Sequence, residues 1–217
     1  KKLNFSKKIA FISQWRPDVL NGFFINIRNY QITHEDFYSS ERIVLGFLSE
    51  WCQNNGYEFV VIGATQGEDN SKQEQIFFKK IIKSEFSFLS PERMLDSYDQ
   101  FDRFEIICCI DSTLGYESLA RGNKTAIFST RGSSPGIVGS SYFGWPGCYF
   151  GWPGCYGDTG PFWTNLAKPT EFKKILDYLR DVSDVEWESV CSDIMKNIIQ
   201  YDPDNKIIKE RLHQIIE

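Results

Sequence analysis

The chain lacks an apolar run close to the roughly 20 residues that a membrane-spanning helix requires, and it opens without a charged and then apolar leader. It also lacks clusters of lysine and arginine, because its basic residues are scattered and its net charge is −5. Binding to a nucleic-acid backbone needs such clusters. These absences predict a cytoplasmic protein that has no transmembrane segment and no nucleic-acid partner.

Two common nucleotide motifs and the usual zinc spacings are missing as well. No Gly-x-Gly-x-x-Gly follows a predicted strand and no Gly-Lys-Ser/Thr phosphate loop occurs, so dinucleotide oxidoreductases and P-loop ATPases are disfavoured. Cys108 and Cys109 lie in an apolar run, and Cys52 and Cys191 lie in helical patterns. This placement predicts buried thiols rather than disulfides. We expect no metal and no cofactor.

The composition is that of a folded protein, because 41% of the residues are hydrophobic and 16% are aromatic. Strands are predicted at residues 9–12, 59–62, 86–89, 105–110 and 124–128. Helices are predicted from about residue 40 to residue 55, at 72–83, from 90, and at 113–120. This alternation is typical of a Rossmann-like parallel sheet with helices on both faces, which places the chain in the α/β class.

Residues 129–168 are rich in glycine, serine, proline and aromatics and are too many for an ordinary connection. Within them Tyr-Phe-Gly-Trp-Pro-Gly-Cys occurs twice in tandem, at 142–148 and 149–155, which we interpret as a local duplication that lengthens a loop. Three further helices are predicted at 170–181, at 185–201, and from 205 to the end. We expect residues 1–168 to form one domain with a long aromatic loop, and the helices of residues 169–217 to pack on it.

The turn after strand 105–110, Asp111-Ser112-Thr113-Leu114-Gly115-Tyr116-Glu117, combines groups that suit a phosphorylated ligand. Parallel sheets bind ligands beyond the carboxyl ends of their strands, where helix N-termini present unpaired N–H groups. Ser112 and Thr113 add hydroxyls for a phosphate or carboxylate. Gly115 permits a close approach, and Glu117 can accept hydrogen bonds from both ribose hydroxyls. The alternative is a helix cap, because Asp-Ser-Thr caps helices well.

Segment 110–122, followed by strand 124–128, resembles the Ser/Thr-x-x-x-Glu-x-x-x-x-Gly turn in the C-terminal domain of GT-B glycosyltransferases. More narrowly, the chain resembles the bacterial surface carbohydrate biosynthesis proteins over most of its length. That likeness also rests on Phe-Ile-Ser-Gln-Trp-Arg (11–16), His-Glu-Asp-Phe-Tyr (34–38), Phe-Gly-Trp-Pro and Gly-Pro-Phe-Trp-Thr-Asn (160–165). The second copy of Phe-Gly-Trp-Pro departs from the single copy that the family implies.

The resemblance implies the C-terminal, donor-binding half of a GT-B sugar transferase, without the N-terminal acceptor domain. Ser112 and Thr113 would hold the donor phosphate and Glu117 the ribose. The donor would be a CMP-linked acidic sugar such as Kdo or a UDP- or GDP-linked sugar. A glycan or glycolipid acceptor would be held by another domain, in the cytoplasm or at the cytoplasmic face of the inner membrane. The start at Lys1, without methionine, also suggests a piece of a longer protein.

Further candidates follow two other predicted strands and should lie at the same edge of the sheet. Gln14 and Arg16 follow the first strand, and Arg16 could pair with a phosphate or sugar carboxylate. Arg131 follows the fifth strand in a Gly/Ser loop and could be a second clamp on the donor phosphates. The alternatives are that Arg16 is a surface arginine beside a core Trp15, and that Arg131 belongs to a linker.

His34 is the candidate for a general acid, a general base or a phosphate ligand. The interpretation we favour for Thr33-His34-Glu35-Asp36 is a helix start with acids in its first turn. The aromatic loop could stack on sugar rings or a base, or pack on the absent domain.

The leading hypothesis is therefore glycosyl transfer from a nucleotide-activated sugar for surface polysaccharide or lipopolysaccharide biosynthesis. A nucleotide-sugar epimerase of the same shape would share the Ser/Thr and Glu turn. In a non-catalytic interaction domain the turn would be only a cap.

Overall fold

The computed structural model of the chain describes residues 7–17, 33–91, 100–131, 143, 156–199, 201–202 and 204–216. Its strands are β1 (Lys8–Ile12), β2 (Glu58–Ile62), β3 (Ser87–Leu89), β4 (Ile106–Cys109), β5 (Thr125–Phe128) and β6 (Trp163–Thr164). Its helices are α1 (His34–Phe37), α2 (Ser39–Asn55), α3 (Glu68–Ile81), α4 (Thr113–Ala120), α5 (Pro169–Asp181), α6 (Asp184–Met195) and α7 (Lys206–Ile216).

The strands of the described residues form one parallel sheet with the order β3-β2-β1-β4-β5-β6. From β1 the chain first builds outward through β2 to β3, and then returns to build the other half from β4 to β6. Right-handed crossovers in opposite directions place helices on opposite faces. Accordingly α2 packs on β2 and α5, whereas α4 packs on β5 and α6. The predicted α/β, Rossmann-like parallel sheet with helices on both faces is confirmed.

The central strands are mainly apolar beyond their first residues because helices cover them on both sides. In β1 the residues Ile9 to Ile12 are at most 2% exposed, and all four residues of β4 are fully buried. Phe11 of β1 meets Phe78 of α3 edge to face, with ring centroids 6.3 Å apart. Phe128 of β5 meets Phe172 of α5 at 4.8 Å. Both contacts lie on the face that α2, α3 and α5 cover, since α2 contacts both of the other helices. On the other face Cys109 of β4 lies against Gly115 of α4, so the core has one layer on each side of the sheet.

The sixth strand lies inside the stretch that we predicted as a loop, and this part of the prediction is wrong. β6 has two residues, too few for a periodicity to be visible. It is nevertheless part of the sheet, because the Ile127 N–H donates to the Phe162 carbonyl at 2.9 Å. Both copies of the predicted loop duplication lie outside the described residues, except for Phe143. That buried ring stacks on Tyr116 of α4 at 5.7 Å and on Trp163 of β6 at 4.3 Å.

Helices α5 and α6 are joined to the helices that cover the sheet by hydrogen bonds from two tryptophan side chains. The Trp51 indole N–H of α2 donates to Asp177 of α5 at 3.1 Å. The Trp187 indole N–H of α6 donates to the Gly122 carbonyl, just beyond α4, at 2.8 Å. Helix α6 ends at Met195, earlier than the predicted residue 201. The helix predicted from residue 90 falls largely on residues 92–99, which lie outside the described residues.

The prediction of buried thiols is confirmed for the four cysteines that the structure describes, Cys52, Cys108, Cys109 and Cys191, all of which are free. Burial raises the pKa of Cys52 to about 12 and that of Cys191 to about 11. These thiols are protonated at neutral pH and serve as small apolar side chains. Within the described ranges, no helix has both the length and the apolar character needed to cross a membrane.

Candidate functional site

The strand order reverses between β1 and β4, and this is the position where open α/β sheets bind ligands. Residues 13–16 follow β1 and residues 111–113 follow β4, so both segments line the carboxyl edge at the reversal. Arg131 follows β5, the next strand. The sheet therefore gathers most of the sequence-predicted residues at one place, which we call the switch-point edge. Residues 18–32 and 132–142 lie outside the described residues.

Helix α4 begins at this edge, and Ser112 is its N-cap residue with extended backbone angles of φ −71° and ψ 134°. In the described part of the chain, the Ser112 side chain makes no capping hydrogen bond with the first turn of α4. Ser112 is 8% exposed, whereas Thr113 is exposed. A helix start leaves several backbone N–H groups without intrahelical partners and carries a partial positive charge. The alternative interpretation, in which the serine only caps the helix, therefore lacks its expected hydrogen bond.

Thr113 and Glu117 lie four residues apart on α4 and so share one side of the helix. Glu117 is half-buried and has an interaction partner within the protein. Helix α4 thus has the spacing predicted from the sequence, with the Thr113 hydroxyl at its start and the Glu117 carboxylate one turn later.

Gly115 faces the sheet rather than an open site. A Cβ built on this residue would lie 2.2 Å from the Cys109 Sγ of β4, so the glycine lets α4 lie against the strand. Helix-to-strand packing at a nucleotide-binding turn is a recognised role of glycine. The structure shows this role for Gly115, and a direct approach of a ligand to it stays a prediction.

We expect Gly115→Ala to lower the free energy of unfolding by about 1–3 kcal/mol, because the added methyl overpacks the contact with Cys109. Gly46→Ala is the matched control, since its Cβ meets nothing within 4 Å and should stabilise helix α2 by roughly 0.5–1 kcal/mol. Chemical denaturation measures both changes. Cys109→Ala in the Gly115→Ala background should recover part of the loss, and a Gly115→Ala protein as stable as wild type would contradict the packing role.

Arg131 is 5% exposed and its guanidinium connects three segments of the chain. Its Nε donates to Asp111 at 3.1 Å and its Nη1 to the Phe37 carbonyl at 2.8 Å. Its Nη2 pairs with Glu41 of α2. The guanidinium also lies 4.7 Å from the centre of the Phe37 ring. Arg131 thus holds the ends of β4 and β5 against α1 and α2, and its charge is already shared between two carboxylates.

The electrostatics of this cluster favour protonation of Glu41 more than in water. Glu41 is 1% exposed, and burial raises the pKa of its carboxyl although the charge of Arg131 opposes the shift. Its Oε2 has no hydrogen-bond partner among the described residues. For Arg131, burial lowers the pKa and the two carboxylates raise it, with a net upward shift. Removal of any one of these three charged side chains would leave an uncompensated charge in the buried cluster, which is strongly destabilising.

Gln14 and Arg16 continue from β1 along the same edge. The Gln14 Oε1 accepts hydrogen bonds from the Asp111 N–H and from Arg131, each at 3.4 Å. The Arg16 side chain is exposed, and its backbone N–H donates to the Tyr38 hydroxyl at 2.9 Å. Trp15 between them is 1% exposed, which confirms its place in the core. Gln14 therefore joins β1 to β4, and Arg16 presents a positive charge to solvent.

Sequence reasoning missed a second buried carboxylate, that of Glu74 on α3, which is 0% exposed. Its oxygens accept hydrogen bonds from the Ser13 hydroxyl at 2.5 Å and the Thr65 hydroxyl at 2.6 Å. They also accept from the backbone N–H groups of Ala64 and Thr65, at 2.9 and 3.2 Å. Glu74 thereby fixes the loops that leave β1 and β2, and so the approach to Gln14.

His34 lies at the start of α1, outside the group at the switch-point edge. The Thr33 hydroxyl accepts from the Asp36 N–H at 3.1 Å and the Asp36 carboxylate accepts from the Thr33 N–H at 3.0 Å, a capping box that confirms the predicted helix start. Burial, and then the charge of Arg42, lower the pKa of His34. The imidazole is therefore mainly neutral at neutral pH.

Metal binding has no support in the described residues, since no group of three or more His, Cys, Asp or Glu side chains is placed to hold an ion there. A model of a protein family described as "putative O-antigen biosynthesis protein" matches residues 1–216 of the chain. No curated protein matches the sequence. The family match thus spans the sheet, the switch-point edge and the C-terminal helices together.

Proposed function

We propose that this chain, which belongs to that family of O-antigen biosynthesis proteins, binds a nucleotide-activated sugar at the switch-point edge as the donor site of a glycosyltransferase. The observation that carries the proposal is the start of helix α4 at the strand-order reversal, with a Ser112 side chain that makes no capping bond among the described residues. A helix start without a side-chain cap suits an anion, and a nucleotide sugar brings a phosphate to it.

The roles of the individual residues follow from their positions. The N–H groups at the start of α4, with the hydroxyls of Ser112 and Thr113, bind the donor phosphate. Glu117, one turn later, accepts from the ribose hydroxyls, and the exposed Arg16 pairs with a second phosphate or with a sugar carboxylate. Gln14 and Arg131 position the site without contacting the donor, because both form hydrogen bonds with Asp111, the residue before the N-cap Ser112.

Catalysis in this proposal consists of positioning the donor and stabilising the leaving nucleotide phosphate. The helix start and Arg16 supply positive potential where negative charge develops. The acceptor, a glycan or glycolipid, reaches the sugar from a separate domain. This arrangement requires no metal at the described residues and no cofactor.

A thermal-shift series with CMP, UDP, GDP and their sugars tests the proposal. At a ligand concentration about 100 times Kd, binding adds roughly 2.7 kcal/mol, which raises Tm by about 5–10 °C for a chain of this size. We expect one nucleotide family to give such a shift, and Thr113→Val and Glu117→Gln each to remove most of it.

Thr170→Val is the matched control, because Thr170 is an exposed threonine in the first turn of α5, which packs with α2 on the opposite face of the sheet from α4. Its shift should equal that of the wild type. Absence of a shift with every nucleotide, or equal shifts in all three variants, would reject the donor site and favour an interaction domain. Incubation of the bound nucleotide sugar with and without an acceptor then separates transfer from epimerisation.

A further inference from the structure

A groove of about 460 Å³ lies on the helical layer that covers β1 and β2, between α1, α2 and α3. Its lining residues are His34, Arg42, Gln73, Ile76, Phe77, Lys80 and Ile81. The volume falls within the roughly 300–1,000 Å³ of small-molecule sites. None of these residues belongs to the switch-point edge, so the groove is a separate feature of the molecule.

Positive charge converges on this groove from two helices. Arg42 comes from α2 and Lys80 from α3, and both side chains are exposed. Within the described ranges, neither has a carboxylate at ion-pair distance. The Arg42 Nη1 donates to the Glu35 carbonyl at 3.1 Å, which holds its guanidinium near the groove. The groove therefore has two cations from separate helices, and neither is held in an ion pair within the described ranges.

Two acidic residues of α1, Glu35 and Asp36, lie close to this groove. Hydrogen bonds from Thr33, and then the charge of Arg42, lower the pKa of Asp36, but within the described ranges neither acid forms an ion pair with Arg42 or Lys80. The Asp36 carboxylate accepts hydrogen bonds from Thr33 at 2.7 Å and 3.0 Å, within the capping box. Glu35 is exposed, and only its backbone carbonyl contacts Arg42. The groove therefore offers an anion two cationic partners from separate elements.

The wall of the groove is apolar. Ile76 of α3 is 53% exposed. Burial of this apolar side chain against a ligand would therefore be favourable. Phe77 and Ile81 continue the wall below it. A ligand that used the whole groove would need an apolar part beside its anionic group.

His34 completes the end of the groove nearest to α1. Its ring lies edge to face against Tyr38 at 4.8 Å and against Phe77 at 5.9 Å. Its Nε2 is buried and has no hydrogen-bond partner among the described residues. Arg42 and Lys80 line the same groove, and after burial their charges lower the pKa of His34. An anion bound in the groove would offer this nitrogen the hydrogen-bond partner that it lacks among the described residues.

We propose that this groove binds an organic phosphate, meaning a phosphate ester whose organic part is apolar. The Arg42 fork can take two phosphate oxygens, the Lys80 ammonium is a point charge for the third, and the apolar wall takes the ester group. The inference is independent of the donor site, since the two share no residue. Such a ligand is either a soluble phosphate ester or the phosphate headgroup of a lipid.

Titration calorimetry with octyl phosphate, inorganic phosphate and octanol tests the inference. We expect octyl phosphate to bind at least tenfold more tightly than either of the others. Arg42→Gln and Lys80→Gln should each weaken octyl phosphate about tenfold, whereas Ile76→Ser should weaken octyl phosphate and leave inorganic phosphate unchanged. These side chains are exposed, so the variants should retain the wild-type Tm, which is measured alongside.

Lys79→Gln is the matched control, because Lys79 is exposed on the same helix and lines a different groove, with Tyr57 and Glu58. A loss of binding in Lys79→Gln equal to that in Lys80→Gln would overturn the site in favour of general charge attraction. Equal affinities for octyl phosphate and inorganic phosphate would overturn the proposal that the apolar wall binds the ester group of the ligand. Sedimentation with phosphatidylcholine vesicles, with and without phosphatidic acid, distinguishes the sources: Lys80-dependent binding to the acidic vesicles identifies a lipid headgroup, and its absence identifies a soluble ester.

Discussion

An Arg131→Met variant is expected to lose about 3–5 kcal/mol of unfolding free energy, because it leaves two carboxylates at the edge of the sheet without their cation. Glu41 is 1% exposed and has no other ion-pair partner among the described residues. Asp111 would lose its bond to the guanidinium Nε. The Phe37 carbonyl would lose a donor as well. Urea denaturation at neutral pH measures the loss.

The loss in Arg131→Met should depend on pH in a defined direction. Without the cation, burial raises the pKa of Glu41 further above its value in the unfolded chain, so the folded variant binds the extra proton. The contribution of Glu41 to the stability of the variant is therefore largest below the pKa of Glu41 in the unfolded chain. It decreases as the pH rises from that value to the higher pKa of Glu41 in the folded chain. The deficit relative to wild type should therefore be smaller near about pH 5 than near about pH 8.

Two further variants separate this cluster from ordinary surface ion pairs. Glu41→Gln in the Arg131→Met background removes one buried carboxylate and should recover part of the stability. Arg180→Met is the matched control, since Arg180 pairs with Asp177 and Asp181 but its side chain is 31% exposed. We expect that control to cost less than about 1 kcal/mol. Equal losses in Arg131→Met and Arg180→Met would refute the buried network.

A Glu74→Ala variant is expected to lose about 3 kcal/mol or more, because it removes the acceptor of four hydrogen bonds in a fully buried place. The Ser13 hydroxyl, which also accepts from the Trp15 N–H at 3.1 Å, would lose its partner. The turn that carries Gln14 should then loosen, and any nucleotide shift should weaken with it. Denaturation and the thermal-shift series measure the two effects.

Glu50→Ala is the control for Glu74→Ala, because Glu50 is an exposed glutamate on α2. Its expected change lies within about 0.5 kcal/mol. Glu74→Gln keeps one acceptor oxygen and should fall between the two. A Glu74→Ala protein within about 1 kcal/mol of wild type would show that the four bonds have ready substitutes in the loops.

Strands β1, β2, β4 and β5 were predictable because they are short and mainly apolar, and because the helices between them have clear periods. The start of α4 was equally predictable, since a polar Asp-Ser-Thr directly follows the most apolar run. Strand order was not predictable from these patterns, because it depends on which strands pair in space. Only the order shows that the ends of β1 and β4 meet at the reversal.

The buried polar groups were harder to predict because their partners are far apart in sequence. Arg131 pairs with Asp111, 20 residues away, and with Glu41, 90 residues away. A local signal did exist: Glu41 precedes Val44 and Leu45 by three and four residues, and Glu74 precedes Phe77 and Phe78 by the same spacing. An acid in line with the apolar face of a helix indicates a carboxylate that is buried with partners.

Phe143 lies between Tyr116 of α4 and Trp163 of β6, so one aromatic ring of the long connection is fixed to a helix and to a strand at once. Its backbone N–H also donates to the Asn165 Oδ1 at 2.9 Å. This attachment divides the connection between β5 and β6 into two shorter segments, and a change of a few residues in the length of either segment costs little closure entropy.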